Sequence, residues 1–404
     1  MDFDLTDEQN AIRRLVRDFA EQEVRPVAAE LDREKRFPYE LVARLGELGL
    51  MGIPYPEEYG GGGADTLSYA IAIEELARVD SSIAITVAAH TSLGTFPIYA
   101  FGTKEQKERW LPDLCSGRKL WAFGLTEPEA GSDAGNTRTT ARLEDGEWVI
   151  DGAKQFITNA GTDITGGVTI TARTGPDEIS NIIVPQDTPG YTVEPAYRKM
   201  GWNASDTRPL SFNGARVPEE NLLGPRGAGF EIAQARLGPG RIHHCMRAIG
   251  AAERALELMC RRANAREAFG GPLAEKQFVQ DFVARSRIEI DAARLMVLHA
   301  AWKMDTAGKR EARQEISMIK VVAANVCMDV LDRAIQVHGA LGVSDDTPLA
   351  VMWRQLRMLR LADGPDEVHK MVIARRELNR WKDDPPTYPA ERRAAETYGE
   401  VRTP

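Results

Sequence analysis

A chain of 404 residues is long enough for two or three domains and a large buried core. Its 60 acidic residues outnumber its 51 basic ones, for a net charge of −9, which argues against the basic face that nucleic-acid binding needs and against a surface that seeks anionic lipid. With 43% hydrophobic and 27% charged residues the composition is globular rather than disordered, and the four cysteines (Cys115, Cys245, Cys260 and Cys327) form no C-x-x-C pair, so neither a disulfide framework nor a cysteine zinc site is indicated.

The acidic start Met1–Leu5 has no apolar signal core, and no apolar run approaches membrane-spanning length, so the expectation is a soluble cytoplasmic protein without membrane insertion. Thr6 with Asp7, Glu8 and Gln9 reads as an N-cap and its first turn, with Ile12, Leu15, Val16 and Phe19 behind it at helical spacing. Glu40–Leu50 predicts a short helix and Leu67–Thr91 a longer one. Between them lie Pro54, Pro56 and Gly60–Gly63; no strand precedes these glycines and no G-K-[ST] follows, so they read as a mobile connection rather than a phosphate loop. From Leu120 the texture changes to β-like runs at Trp148–Ile150, Val168–Thr171, Asn181–Val184 and Leu210–Phe212. The pairs Asp145-Gly146, Asp151-Gly152, Gly166-Gly167, Pro189-Gly190 and Asn213-Gly214 separate them, the turn vocabulary of an antiparallel sheet. From Phe230 the pattern predicts long helices with apolar stripes at Ile249, Ala252, Leu256 and Met259; at Phe278, Phe282, Ala292, Leu295 and Trp302; and at Ile316, Ile319, Ala323, Val326, Val330 and Val337. Such stripes are core first, and several together imply an antiparallel bundle. Met352–Leu361 begins a fourth helix or its approach, and the Pro-rich tail after Trp381 is expected to wrap the surface or a neighbouring subunit. The fold class is α+β: an N-terminal helical domain (1–119), a middle antiparallel β domain (120–229) and a C-terminal four-helix bundle with an extended tail (230–404).

Four segments in order resemble the acyl-CoA dehydrogenase family: Phe123–Asp133 its T-E-P-x-A-G-S-D signature, Lys154–Asn159 its K-x-x-I-T-N strand, Arg266–Gly270 with Gln277 its R-x-x-F-G…Q element, and Gln336–Gly342 its Q-x-x-G-G-x-G turn, with Ala340 for the second glycine. Arg236–Arg247 and Ala362–His369 are similar, more narrowly, to the subgroup of mammalian acyl-CoA dehydrogenase family members ten and eleven and their bacterial relatives. The resemblance implies a flavoprotein oxidoreductase of fatty acid β-oxidation that binds FAD, converts acyl-CoA to trans-2-enoyl-CoA, passes electrons to electron-transferring flavoprotein, and assembles as a homotetramer, a dimer of dimers whose flavin sites are completed by a neighbouring subunit.

That chemistry removes an α-proton and a β-hydride, and a carboxylate suits the first task if burial raises its pKa toward the working pH. Where many of the family carry a Glu, this chain has Asp363 in Ala-Asp-Gly-Pro; in isolation that is ordinary turn vocabulary, and in the context of the four segments it becomes the candidate base. Other branches carry the base on an earlier helix just before an arginine, and there this chain has Gly240 before Arg241. By resemblance Phe123, Leu125 and Thr126 contact the flavin on one strand and Phe156, Ile157 and Thr158 on another. Arg266 and Gln277 meet its pyrophosphate and adenine. Gln336, Val337, His338, Gly339 and Ala340 reach a neighbour's cofactor, and Pro365 and Glu367 lie where the family touches FAD. Ser132, Arg241 and Gly364 match substrate-contacting positions. His243 and His244 lack a metal-site pattern and are assigned to packing or pocket lining. Two other readings stand beside this one: a flavin-dependent oxidase of another carbon acid, similar to nitroalkane oxidase, and a non-catalytic acyl-CoA-binding homologue.

Overall fold

A computed structural model describes residues 4–308 and 310–384. Its N-terminal part is helical: α1 (Asp7–Phe19), α2 (Ala28–Glu34), α3 (Tyr39–Glu47), α4 (Thr66–Val79), α5 (Ser81–Ala88), α6 (Phe96–Phe101) and α7 (Lys104–Cys115). Thr6 and Gln9 close a capping box at the start of α1, as their spacing predicts. The helix expected over Leu67–Thr91 is instead broken at Asp80, whose extended backbone ends α4 and whose carboxylate accepts the Ile83 N–H at 2.8 Å to start α5. The glycines 60–63 are not a free connection: Gly61, Gly62, Gly63 and Ala64 donate backbone hydrogen bonds to Pro56, Gly52, Tyr55 and Ile53. The stretch Ser81–Phe101 is long and apolar enough for a membrane span by composition, but 78% of its most apolar window is buried inside the protein.

The sheet comprises β1 (Leu120–Gly124), β2 (Thr140–Glu144), β3 (Glu147–Thr158), β4 (Thr165–Gly175), β5 (Glu178–Pro185), β6 (Tyr191–Val193), β7 (Thr207–Pro218) and β8 (Leu222–Leu223). Its order is β6-β7-β3-β2-β4-β5-β8, with β1 beside β4. The expectation of a purely antiparallel sheet is corrected here, because β1 runs parallel to β4 and β2 touches β4 in parallel at Thr140–Arg173. Local turn signals reveal hairpins; β1 arrives from the helical part with no hairpin, so its partner is invisible to them. Asp145-Gly146 is a true hairpin turn between β2 and β3, both residues at positive φ. Asp151-Gly152, Gly166-Gly167 and Asn213-Gly214, expected as turns, lie inside β3, β4 and β7. Gly152 marks a bulge, and a Cβ on Gly167 would meet the Trp121 ring at 2.7 Å, so glycine there serves close packing.

The C-terminal part holds α8 (Gly229–Ala265), the short pair β9 (Glu267–Ala268) and β10 (Gly271–Pro272), α9 (Gln277–Ala307), α10 (Arg313–His338), α11 (Leu349–Arg357) and α12 (Asp366–Arg380). Its core runs from Ile249 and Met259 of α8 through Ile290 and Val297 of α9 to Ile319 and Val330 of α10, and takes in Ala70 of α4 and Ile85 of α5. Most of the stripe expected to bury α9 faces outward: Phe278, Ala292, Leu295 and Trp302 are exposed and Phe282 packs against the core, while Ser286, Ile290, Ala293, Val297 and Ala300 are buried. Small residues on the inner face, Ser286, Ala293, Ala300 and Ala301, let α9 approach its neighbours. The expectation for the tail lies outside the described residues from 385 onward.

Candidate active site

Asp363 sits between α11 and α12, where the chain reverses. Its φ is 56° and that of Gly364 is 100°. Aspartate tolerates the left-handed region, and glycine adopts it freely. The Asp363 carbonyl accepts from Arg241 Nε at 3.1 Å and lies 3.3 Å from His369 Nε2. Lys320 of α10 donates to the carbonyls of Leu359 and Gly364. The reversal is therefore tied to α8, α10 and α12 at once, which fixes where the carboxylate points.

The carboxylate turns toward α8. His244 Nε2 lies 2.6 Å from Asp363 Oδ2, which is enclosed, while the side chain as a whole keeps 14% of its surface open. Burial pushes the Asp363 pKa up, but His244, Arg236 and Arg241 together overcome it and hold the carboxyl well below the usual carboxylate range. In the free protein the cationic neighbours therefore outweigh burial, so the condition that burial raise this group toward the working pH is not met there. The glycine at 240 belongs to the same place, since a Cβ there would meet Leu93 at 3.0 Å and stand 3.6 Å from Asp363 Oδ2.

Around this centre the other expected residues divide. Arg241 and Gly364 stand with Asp363, a Cβ on Gly364 lying 3.7 Å from Arg241 Nη2. Phe123 is linked to it through the buried Arg236, whose guanidinium carbon is 4.3 Å from the Phe123 ring centroid and whose charge acts on Asp363. Leu125 and Thr126 follow β1, and the Thr126 carbonyl accepts the Gln155 N–H of β3 at 2.9 Å, so the two segments expected at the flavin adjoin. Phe156 is 59% exposed. It sits at positive φ in an irregular part of β3, its ring stacked on Tyr197 at 4.6 Å. Ile157 turns inward to the sheet core, so it can offer only backbone to a ligand, and Thr158 is half-buried. Ser132, Arg266, Gln277, Gln336, Gly339, Ala340 and Glu367 are exposed, Val337 and His338 are buried at the end of α10, and Pro365 caps α12. Within one chain these are not gathered around Asp363.

The residues present fit a flavin. An exposed aromatic in an irregular part of β3 offers a face for a large planar ring. Arg236 Nε and Nη1 are buried without a partner, and unmet guanidinium donors suit an acceptor-rich group such as a flavin carbonyl or a thioester. Phe123, Leu125, Thr126, Phe156 and Arg236 are the residues that could hold it. Among the described residues no cluster of His, Cys, Asp or Glu has the arrangement of a metal site.

Sequence reading missed the partners of the carboxylate. His243 packs edge-on against Tyr69 at 3.8 Å, a packing role as expected. His244, expected to pack or line a pocket, contacts the candidate base itself. The signal was its place one turn after Gly240 on the helix facing residue 363, which only the tertiary fold turns into proximity.

Three family models match in chain order: the N-terminal domain of acyl-CoA dehydrogenase over residues 6–118, its middle domain over 122–215 and its C-terminal domain over 227–378. The probable acyl-CoA dehydrogenase FadE2 of Mycobacterium tuberculosis is 50% identical over 292 residues, 70% of this chain and 72% of that one. The probable acyl-CoA dehydrogenase YngJ of Bacillus subtilis is 42% identical over 381 residues, 94% of this chain and all 100% of that one. The solved structure of butyryl-CoA dehydrogenase from Megasphaera elsdenii superposes with a TM-score of 0.90 at 38% identity, covering 94% of this chain and 100% of that one.

Proposed function

Since the chain belongs to the acyl-CoA dehydrogenase family of FAD-binding oxidoreductases, we propose that it oxidises an acyl-CoA thioester to trans-2-enoyl-CoA with Asp363 as the base. The observation that carries this reading is the single carboxylate aimed into a buried, cationic centre by a strained turn that three helices secure. FAD, when bound, supplies the acceptor for the β-hydride. The chain's own work is to hold Asp363 ionised, keep it facing Cα, and exclude water. Burial is the largest influence raising its pKa, so an acyl chain that removes the remaining solvent contact moves the carboxylate toward the working pH. Arg241 and Gly364 line the same space, and the backbone N–H of Asp363 is the donor we assign to the thioester oxygen. Phe123, Leu125, Thr126, Phe156, Ile157 and Thr158 are assigned to the flavin ring. Arg266 and Gln277 go to the rest of the cofactor, Gln336–Ala340 to a neighbour's cofactor, Pro365 and Glu367 to its rim, and Ser132 to the CoA side.

We further read the chain as a cytoplasmic homotetramer that hands electrons to electron-transferring flavoprotein. The Arg236–Arg247 stretch supports placing it beside family members ten and eleven. Anaerobic titration with short, medium, long and branched acyl-CoAs tests the core of this reading: some members bleach the oxidised flavin. Asp363→Asn is expected to slow that bleaching by about 10²–10⁴-fold while still binding the thioester; wild-type bleaching by the variant would remove Asp363 as base.

A further inference from the structure

Asp363 does not stand alone in its pocket. His244 Nε2 is 2.6 Å from its Oδ2, and on the other side of the same ring His244 Nδ1 is 3.1 Å from Arg247 Nη1. An arginine nitrogen can only donate, so Nδ1 must be the accepting nitrogen, and the ring proton is left on Nε2, facing the carboxylate. Arg247 is itself fixed: it is buried, its guanidinium lies 4.5 Å from the Trp202 ring centroid, and its Nε donates to Ser81 Oγ at 3.3 Å. Trp202 Nε1 donates to the same hydroxyl at 3.2 Å. The tautomer of His244 is thus set from behind by a chain that ends in the N-cap region of α5.

Resting on the reading of Asp363 as base, we infer that His244, neutral and protonated on Nε2, is the positioning residue of that base: it engages Oδ2, holds the carboxylate ionised and leaves Oδ1 to receive the α-proton. Among the described residues, Oδ2 is enclosed with no donor beside it other than the His244 ring at 2.6 Å, and the side chain keeps residual open surface, as this division of labour requires.

Other titratable groups face the pair, and one of them, Asp80, is also a carboxylate. From α8, Arg236 and Arg241 stay charged at working pH, and Cys245 is pushed up to about 12 by burial. His243 is held neutral by burial, as is His369 of α12, whose value falls to about 4. Lys320 of α10 is lowered by burial. From α4, Tyr69 is raised by burial, and Asp80, acting on Arg247 from the α4–α5 junction, is raised likewise.

The test is the pH dependence of single-turnover flavin reduction at saturating concentration of whichever acyl-CoA bleaches the holoenzyme fastest. Removing the Nε2–H in His244→Ala should move the acid limb upward by about one to two pH units. His244→Gln, which returns an N–H near the same place, should bring it back toward wild type. A merely structural role would lower amplitude or stability without moving the limb. Asp363→Asn separates the two claims: if it reduces flavin normally, the base assignment falls; if it is inactive while the His244→Ala limb coincides with wild type, the positioning role falls and the base stands. Should His244→Ala fail to fold, ¹⁵N-histidine NMR of the wild-type protein decides, with the His244 signals identified by their loss in His244→Gln. A bare Nδ1 and protonated Nε2 between pH 6 and 8 are expected; an Nδ1–H ring or an imidazolium overturns the inference.

Discussion

At residue 364 two constraints coincide. The backbone φ is 100°, and a Cβ would meet His369 Nε2 at 2.9 Å. Gly364→Ala is therefore expected to cost about 1–3 kcal/mol of stability and to displace Asp363, read as a lowered urea midpoint together with slower flavin reduction. The sequence made this glycine and its aspartate legible, because Ala-Asp-Gly-Pro is turn vocabulary and a carboxylate at that place matches the family's base. It did not make His244 legible. Histidine in a helix carries no local sign of its partner, and the contact joins α8 to the α11–α12 turn, far apart in the chain. Nor could the residue types reveal that Asp363 is held ionised: burial and cation proximity act in opposite directions, and only the distances decide which prevails.

At the scale of elements, the segment after β1 is fastened to the sheet by one buried ion pair. Lys154 Nζ of β3 lies 2.6 Å from Glu127 Oε1, and Glu127 also accepts the backbone N–H of Arg138 and Thr139. Burial lowers Lys154 to about 8, while Lys154, with those N–H donors, keeps Glu127 below its ordinary value against the upward pull of burial. Lys154→Met removes one partner and leaves an uncompensated buried carboxylate. The expected loss is about 3–5 kcal/mol by urea denaturation, and a double variant with Glu127→Gln should recover part of it. A smaller effect from the single than from the double change would show that the pair does not secure this segment. The strands around it were largely visible as alternating β-branched runs, whereas glycines inside them were read as turns. A glycine that admits a neighbouring ring and a glycine that reverses the chain look alike until the packing is known, as Gly167 beneath Trp121 illustrates.

For the whole molecule, buried histidines set the acid response. His90 and His369 fall to about 4, and His243 and His244 are also lowered, burial leading in each case. The unfolded chain takes up these protons near pH 6.5, where the folded chain refuses them, so stability is full above that pH and falls as the pH drops toward 4. His90 alone should contribute a loss of about 2 kcal/mol by pH 5. Urea midpoints at pH 7, 6 and 5 check it: a flat profile across that range would mean the rings are charged in the fold. The outward apolar face of α9, with Phe278, Ile288, Leu295 and Trp302 exposed, is where the proposed tetramer would meet its neighbours. Ile288→Asp should then lower the sedimenting mass, and an unchanged mass would take α9 out of the interface. The parallel pairing of β1 also bears on the order of assembly. Leu120 must wait for Thr165 to be placed, and the Trp121 N–H is met by His90 from the helical part. Such a pair cannot zip outward from a hairpin; the intervening loop closes first and contacts reward it afterwards. In pulse-labelled hydrogen exchange during refolding, the amides of β2, β3 and β5 should gain protection before those of β1, so that helices and sheet are locked together by the strand that comes first from the ribosome and settles last.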